Sequence, residues 1–166
     1  MDVMEVLRNR FSCRSYRTDP VSSDLLMQLV DAARLAPSSR GEQPWEFVLV
    51  TDVSTLKELS KRANTGPFIA QAAACIAVFC RADAKYAVED GSAATQNILI
   101  AATALGLGSC WVAGDKKDYA ASVSKLLRAP PEQRLISLIS VGFPKAEAPA
   151  DRKRRELADV LHWQHF

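Results

Sequence analysis

Residues Pro37–Trp45 read Pro-Ser-Ser-Arg-Gly-Glu-Gln-Pro-Trp, a short polar stretch wedged between a helix signal and a strand signal. Before it, Ser22–Leu35 carries Leu25, Leu26, Leu29, Val30 and Ala33 on one helical stripe. After it, Glu46–Thr51 is β-branched and aromatic, as a buried strand is. Pro37 favours a helix end at Ala36, and Pro44 fixes its own φ. Between them Ser38, Ser39, Arg40 and Gln43 supply donors against a single acid, Glu42. Loops held at both ends by rigid elements are common places for function. An ordinary connection with Trp45 in the core is the other reading.

Working outward, the same switching between helical and extended patterns recurs. Asp2 with Glu5 resembles a capping pair for a helix through about Asn9, with Val3, Val6 and Leu7 apolar. Arg10, Ser12 and Arg14 then alternate with Phe11 and Cys13, so in an extended segment these three side chains point the same way. Such a row suits an anion, because guanidinium groups grip phosphate in a fork and the hydroxyl adds a directional donor. A solvated basic edge is the alternative.

Ser22 or Ser23 caps the second helix, Asp52 caps a third over Val53–Arg62, and Asn64–Pro67 breaks the chain. Ala74–Cys80 reads as a strand buried on both faces. Glu89–Leu105 is the longest helix signal, alanine-rich and apolar nearly all round; it suits close approach of another backbone, inside one chain or across a dimer. Gly106-Leu107-Gly108-Ser109 ends it, with Gly106 fit for a left-handed cap. Gly108 would let a flat ligand approach the main chain of the strand Cys110–Ala113. A helix over Asp115–Leu127 and a strand over Arg134–Val141 follow. The charged cluster Asp151–Glu156 and apolar Leu157, Val160, Leu161 and Trp163 predict an ordered, packed tail.

Length and composition bound the answer. At 166 residues, 48% hydrophobic and 24% charged, the chain suits a single domain over 1–166 with its own core. Four strand signals among five or six helices indicate an α+β fold. A net charge of +2 gives no strong reason to seek nucleic acid or a membrane surface. Cys13, Cys75, Cys80 and Cys110 form no paired motif, and no leader or membrane-length apolar run is visible. A reducing, cytoplasmic compartment is expected. His162 and His165 lack accompanying ligands, so no metal site is expected.

Four motifs occur in order. They are Arg10-x-Ser12-x-Arg14; Ala36-Pro37-Ser38-Ser39 with Gln43-Pro44-Trp45; Leu99–Trp111 ending Gly106-Leu107-Gly108-Ser109-Cys110-Trp111; and Val141-Gly142-x-Pro144 before Lys153-x-Arg155. Together they resemble the nitroreductase family of FMN-dependent oxidoreductases across nearly the whole chain. The resemblance implies a central mixed, mainly antiparallel β-sheet flanked by helices. It also implies a homodimer with FMN at the subunit interface and the C-terminal tail packed on the partner.

By position, Arg10, Phe11 and Ser12 would lie at the phosphate and ribityl end, with Arg14 near the pyrimidine side of the flavin as an electrostatic stabiliser. Pro37, Ser38, Ser39, Arg40 and Gln43 would come from the other subunit. Gly108, Ser109, Cys110 and Trp111 would set backbone against the ring, and Lys153 with Arg155 would close on the phosphate, Arg154 being the alternative to Arg155. The implied reaction carries hydride from NADH or NADPH to an acceptor such as a nitroaromatic or quinone, with no catalytic triad. A storage module without turnover, or dehalogenation or heterocycle oxidation on the same fold, are the alternatives. Two departures stand out: Gly41, where family members commonly have Asn, and Phe11, at a position often basic or polar.

Overall fold

Three helices begin where the sequence places an acceptor side chain. The computed structural model describes residues 2–149 and 152–166; Met1, Ala150 and Asp151, the last of which opens the charged cluster, lie outside them. Asp2 caps α1 (Val3–Asn9), Ser22 caps α2 (Ser23–Arg34) and Asp52 caps α3 (Val53–Arg62), accepting from the amides of Met4, Leu25 and Thr55. Each cap satisfies an amide that the first helical turn leaves orphaned. α4 (Ala87–Ala104) and α5 (Ala120–Leu126) complete the helices. Gly106, at φ +74, ends α4, and Leu107 N donates back to Ala102 O at 2.8 Å.

The strands β1 (Trp45–Val50), β2 (Ala74–Arg81), β3 (Gly108–Ala113) and β4 (Gln133–Gly142) form one sheet in the order β1-β2-β4-β3. Every neighbouring pair is antiparallel. The mixed sheet expected from the sequence is therefore corrected: α4 carries the chain from β2 to a β3 that runs the same way, and β4 fills the gap antiparallel to both. The parallel component shrinks to one isolated bridge, Ser12 with Ser109.

β2 is buried from Ala74 to Cys80 because both faces are covered. Ile76 and Val78 pack with Leu29 of α2 and Ile98 of α4, whereas Cys75, Ala77 and Phe79 pack with Leu59 of α3 and Val123 of α5. A bulge interrupts β4, since Val78 faces Ser137 but Phe79 faces Leu135, leaving Ile136 extra.

Two further expectations change. The helix expected over Asp115–Leu127 begins only at Ala120, because the amides of Gly114 and Asp115 both donate to Ile136 O and Lys116 sits at φ 57. The tail finds no cover on its own protomer: Leu157 is 71% exposed, Trp163 77% and Phe166 108%.

Candidate active site

Residues 10–17 are stitched along one end of the sheet. Ser12 bridges Ser109, and Cys13 N donates to Ser109 O at 2.9 Å. Arg17 N donates to Phe143 O at 2.8 Å, beside a Tyr16–Pro144 bridge. Tyr16 is the pin. Fully buried, its hydroxyl lies 2.7 Å from Cys13 O, to which it donates, and 2.7 Å from Ser140 Oγ. Burial pushes that hydroxyl's pKa well up, so it stays a donor. With Cys13 and Tyr16 turned inward, Ser12 and Arg14 are exposed and Arg10 is half-buried, as the alternation requires.

These cations converge. Burial lowers the Arg10 pKa, and the neighbouring Arg154 and Arg152 guanidinium groups lower it further. Among the described residues none of Arg10, Arg14, Arg152 and Arg154 pairs with a carboxylate. Such a cluster favours an anion. Arg152, from the charged tail, donates to the carbonyls of Arg8, Asn9 and Arg10, fixing the tail against this edge. The Arg14 guanidinium lies over the Phe68 ring at 5.7 Å, a cation–π contact that orients it. Burial raises the pKa of the Cys110 thiol, opposed by the Arg14 charge, the Ser12 hydroxyl and the Arg10 charge. Ser109 Oγ is buried without a hydrogen-bond partner among the described residues.

The Pro37–Gln43 loop lies elsewhere. It forms a short 3-10 turn over Ser39–Gly41 with three left-handed residues, Arg40 (φ 54), Gly41 (φ 70) and Gln43 (φ 46). Gln43 N donates to Ser38 Oγ at 3.0 Å, closing the turn, and Ser39 N donates to Asp90 Oδ1 at 2.9 Å. Gly41 fits because a left-handed position is filled by Gly or Asn; the departure from Asn removes a side-chain amide and leaves the backbone as it must be.

The loop thus touches the N-terminal turn of α4, while residues 10–14 meet Gly108 beyond its C-terminus. α4 has 18 residues, so its ends lie about 27 Å apart. One chain brings Arg10, Ser12, Arg14, Gly108, Ser109, Cys110 and Arg154 together, with Trp111 half-exposed on the same strand. It sets Pro37, Ser38, Ser39, Arg40 and Gln43 apart from them. Phe11 lines a cleft of about 470 Å³ with Leu107, Pro144 and Arg152. Lys153 is exposed, and Arg155 donates to Asp159 O within the tail. Sequence reasoning missed the individual parts played by Arg152, Phe68, Tyr16 and Asp90. Only Arg152, inside the charged cluster, carried a signal.

All four cysteines are free and buried, and burial pushes the Cys75 and Cys80 thiols up to about 12. Ellman's reagent at neutral pH should leave Cys75 and Cys80 untouched in the native protein and modify both after unfolding. A raised folded-state pKa contributes stability that is whole below the ordinary thiol value of 9.0. That stability is lost as pH rises through 9 toward about 12. Denaturant midpoints between pH 7 and 11 should fall accordingly.

The chain therefore carries a cationic edge, of a kind that suits an anion, beyond one end of α4 and a preset polar loop at the other. The sequence comparisons agree in class. The family model described as the nitroreductase family matches residues 7–80 and 60–143. A protein of Archaeoglobus fulgidus, provisionally named NADH dehydrogenase/NAD(P)H nitroreductase, is 36% identical over 154 residues, 88% of this chain and 87% of the relative. A crystal structure from Parabacteroides distasonis with the same provisional name superposes at TM-score 0.92 with 30% identity, covering 99% of this chain and 98% of that one. Another, a provisionally named nitroreductase of Desulfovibrio desulfuricans in complex with FMN, gives TM-score 0.88 and 29% identity over 100% and 98%. The chain belongs to the nitroreductase family.

Proposed function

We propose that the protein is an FMN-dependent NAD(P)H oxidoreductase whose cofactor sites lie between the subunits of a homodimer. The single observation that carries this reading is the split of the site across the length of α4, about 27 Å, which one flavin does not bridge within one chain. Two chains related by a two-fold axis, running antiparallel along α4, bring the loop of each against the cationic edge of the other. Val3, Met4 and Leu7 of α1 and the apolar tail, all exposed on a lone protomer, supply surface for such a pairing.

The residues present fit FMN. Arg10, with Arg154 beside it, meets the phosphate, and Ser12 adds a hydroxyl at the ribityl end. Lys153 with Arg155 of the tail would close on the same phosphate. Of Gly108–Trp111 only Trp111 is exposed; the room expected beside Gly108 for a flat ligand is filled by Cys13 and Pro144 of the same chain. When bound, FMN supplies the hydride-accepting and hydride-donating chemistry, between NADH or NADPH and an acceptor such as a nitroaromatic or quinone. Arg14, oriented over Phe68, would present its positive charge to the pyrimidine side of the flavin as an electrostatic stabiliser, at little cost in reorganisation. Pro37, Ser38, Ser39, Arg40 and Gln43 of the partner subunit cover the cofactor. No helix among the described residues is long and apolar enough to cross a membrane, and buried free thiols suit a reducing cytoplasm.

Purified protein should be yellow, release FMN on denaturation, and lose its flavin absorbance within seconds of stopped-flow mixing with NADH or NADPH. Bound flavin that stays oxidised would instead support a storage module. Colourless protein that refuses added FMN overturns the reading.

A further inference from the structure

Asp90 stands in the first turn of α4, only 6% exposed. Its Oδ1 accepts from Ser39 N at 2.9 Å, and it borders a hollow of about 320 Å³ with Pro37, Ser38, Tyr86 and Ala93. A buried carboxylate is costly unless its hydrogen bonds and surroundings compensate it. The positive end of α4 and the loop amide do so here.

The loop above it is costly as well. Arg40 and Gln43 hold φ 54 and φ 46, a region that non-glycine residues enter under strain. Strained backbone persists only where the surroundings over-determine it. Besides Asp90 the ties are, within the loop, Gly41 N to Ser38 O at 3.1 Å, Glu42 N to Ser39 O at 3.0 Å and the Gln43 N to Ser38 Oγ bond, and, at its far end, Arg81 N to Pro44 O at 3.0 Å and a half-exposed Arg81–Glu42 pair at 3.7 Å. Of these, only Asp90 offers a buried, charged acceptor from a rigid element outside the loop. We propose that Asp90 is a positioning residue that sets Ser38–Gln43 in the left-handed conformation in which the loop meets the cofactor of the other subunit. The last clause rests on the function proposed above; the hold on the loop does not.

Hydrogen exchange over residues 39–43 tests this in the full-length protein, with and without added FMN, alongside FMN titration and Tm. Asp90→Ala should speed exchange in this peptide by about tenfold or more and weaken FMN by about tenfold, while peptides from β2 and β4 keep their protection. Asp90→Asn keeps an acceptor oxygen and should recover most of both. Loop exchange unchanged in Asp90→Ala, or an Asn variant as impaired as the Ala variant, overturns the proposal. Should Asp90→Ala fail to fold, Ser39→Pro removes the donor, together with the Ser39 hydroxyl, after a residue, Ser38, that already has the extended backbone a following proline needs; with it only loop exchange is read. Faster exchange at residues 40–43 then supports the role, and unchanged exchange overturns it. Loosening of the loop in a protein that binds no FMN would refute the proposed function and leave the positioning role standing.

Discussion

Two variants that each fail to hold FMN should regain one tight site per dimer when combined. The first is Arg10→Ala/Arg14→Ala, which strips the cationic edge. Two lost charge-assisted contacts weaken binding by about 100-fold or more. The second is Ser38→Ala/Gln43→Ala, which removes the hydroxyl that closes the loop on Gln43 N together with the side-chain amide proposed above to cover the cofactor, for a loss of about tenfold or more. In a heterodimer made by co-expressing differently tagged chains, one site carries both lesions. The other pairs the intact edge of one chain with the intact loop of its partner. FMN titration should therefore show one equivalent per heterodimer at the wild-type Kd. If each site belonged to a single chain, every site would carry one lesion and no tight equivalent would return; that result sinks the shared-site geometry.

That geometry shows what a linear reading does and does not reach. The caps at Asp2 and Asp52, Ser22 as one of two candidates with Ser23, and the full span Val53–Arg62 were legible because capping and amphipathic period are local properties. The Arg10-x-Ser12-x-Arg14 row was legible because side-chain direction alternates in any extended segment.

What stayed hidden depends on long-range bonds. The late start of α5 follows from Ile136 O, a bulged carbonyl on another strand that captures the amides of Gly114 and Asp115. Arg152 looked like one charge among several, yet it anchors the tail through three carbonyls 142 to 144 residues away. Asp90 drew no reading of its own, since nothing local says that a distant loop amide faces an acid in a helix's first turn. The tail's apolar residues read as packed, yet Leu157, Trp163 and Phe166 are exposed on this protomer, because apolar character alone does not say whether a segment finds a surface to cover it.

The second large effect should come from Gly108→Ala. Gly108 and Gly142 face each other across β3 and β4, and residues 13–16 lie directly upon them. A Cβ on Gly108 would stand 2.7 Å from Cys13 Sγ, 2.8 Å from Cys13 Cβ and 3.3 Å from Pro144 Cβ. Cys13 is too short to swing its Cβ aside, and Tyr16, pinned to Ser140, keeps the segment from retreating as a whole. Overpacking of this kind costs about 1–3 kcal/mol, which lowers Tm by several degrees in a domain of this size. The strain is relieved by lifting residues 10–14 from the sheet edge, so FMN affinity should fall by about tenfold or more, beyond what the lost stability explains.

Gly114→Ala provides the contrast. Its Cβ would meet Leu135 Cγ at 2.6 Å and the Ile136 backbone at 3.0 Å, at the opposite end of β3 from the cationic segment. It should lower Tm at least as much while the folded protein keeps its FMN Kd. Thermal melts and FMN titrations on both variants decide the matter. If affinity tracks Tm equally in the two, the glycine pair serves packing alone and the seat of the cationic edge lies elsewhere.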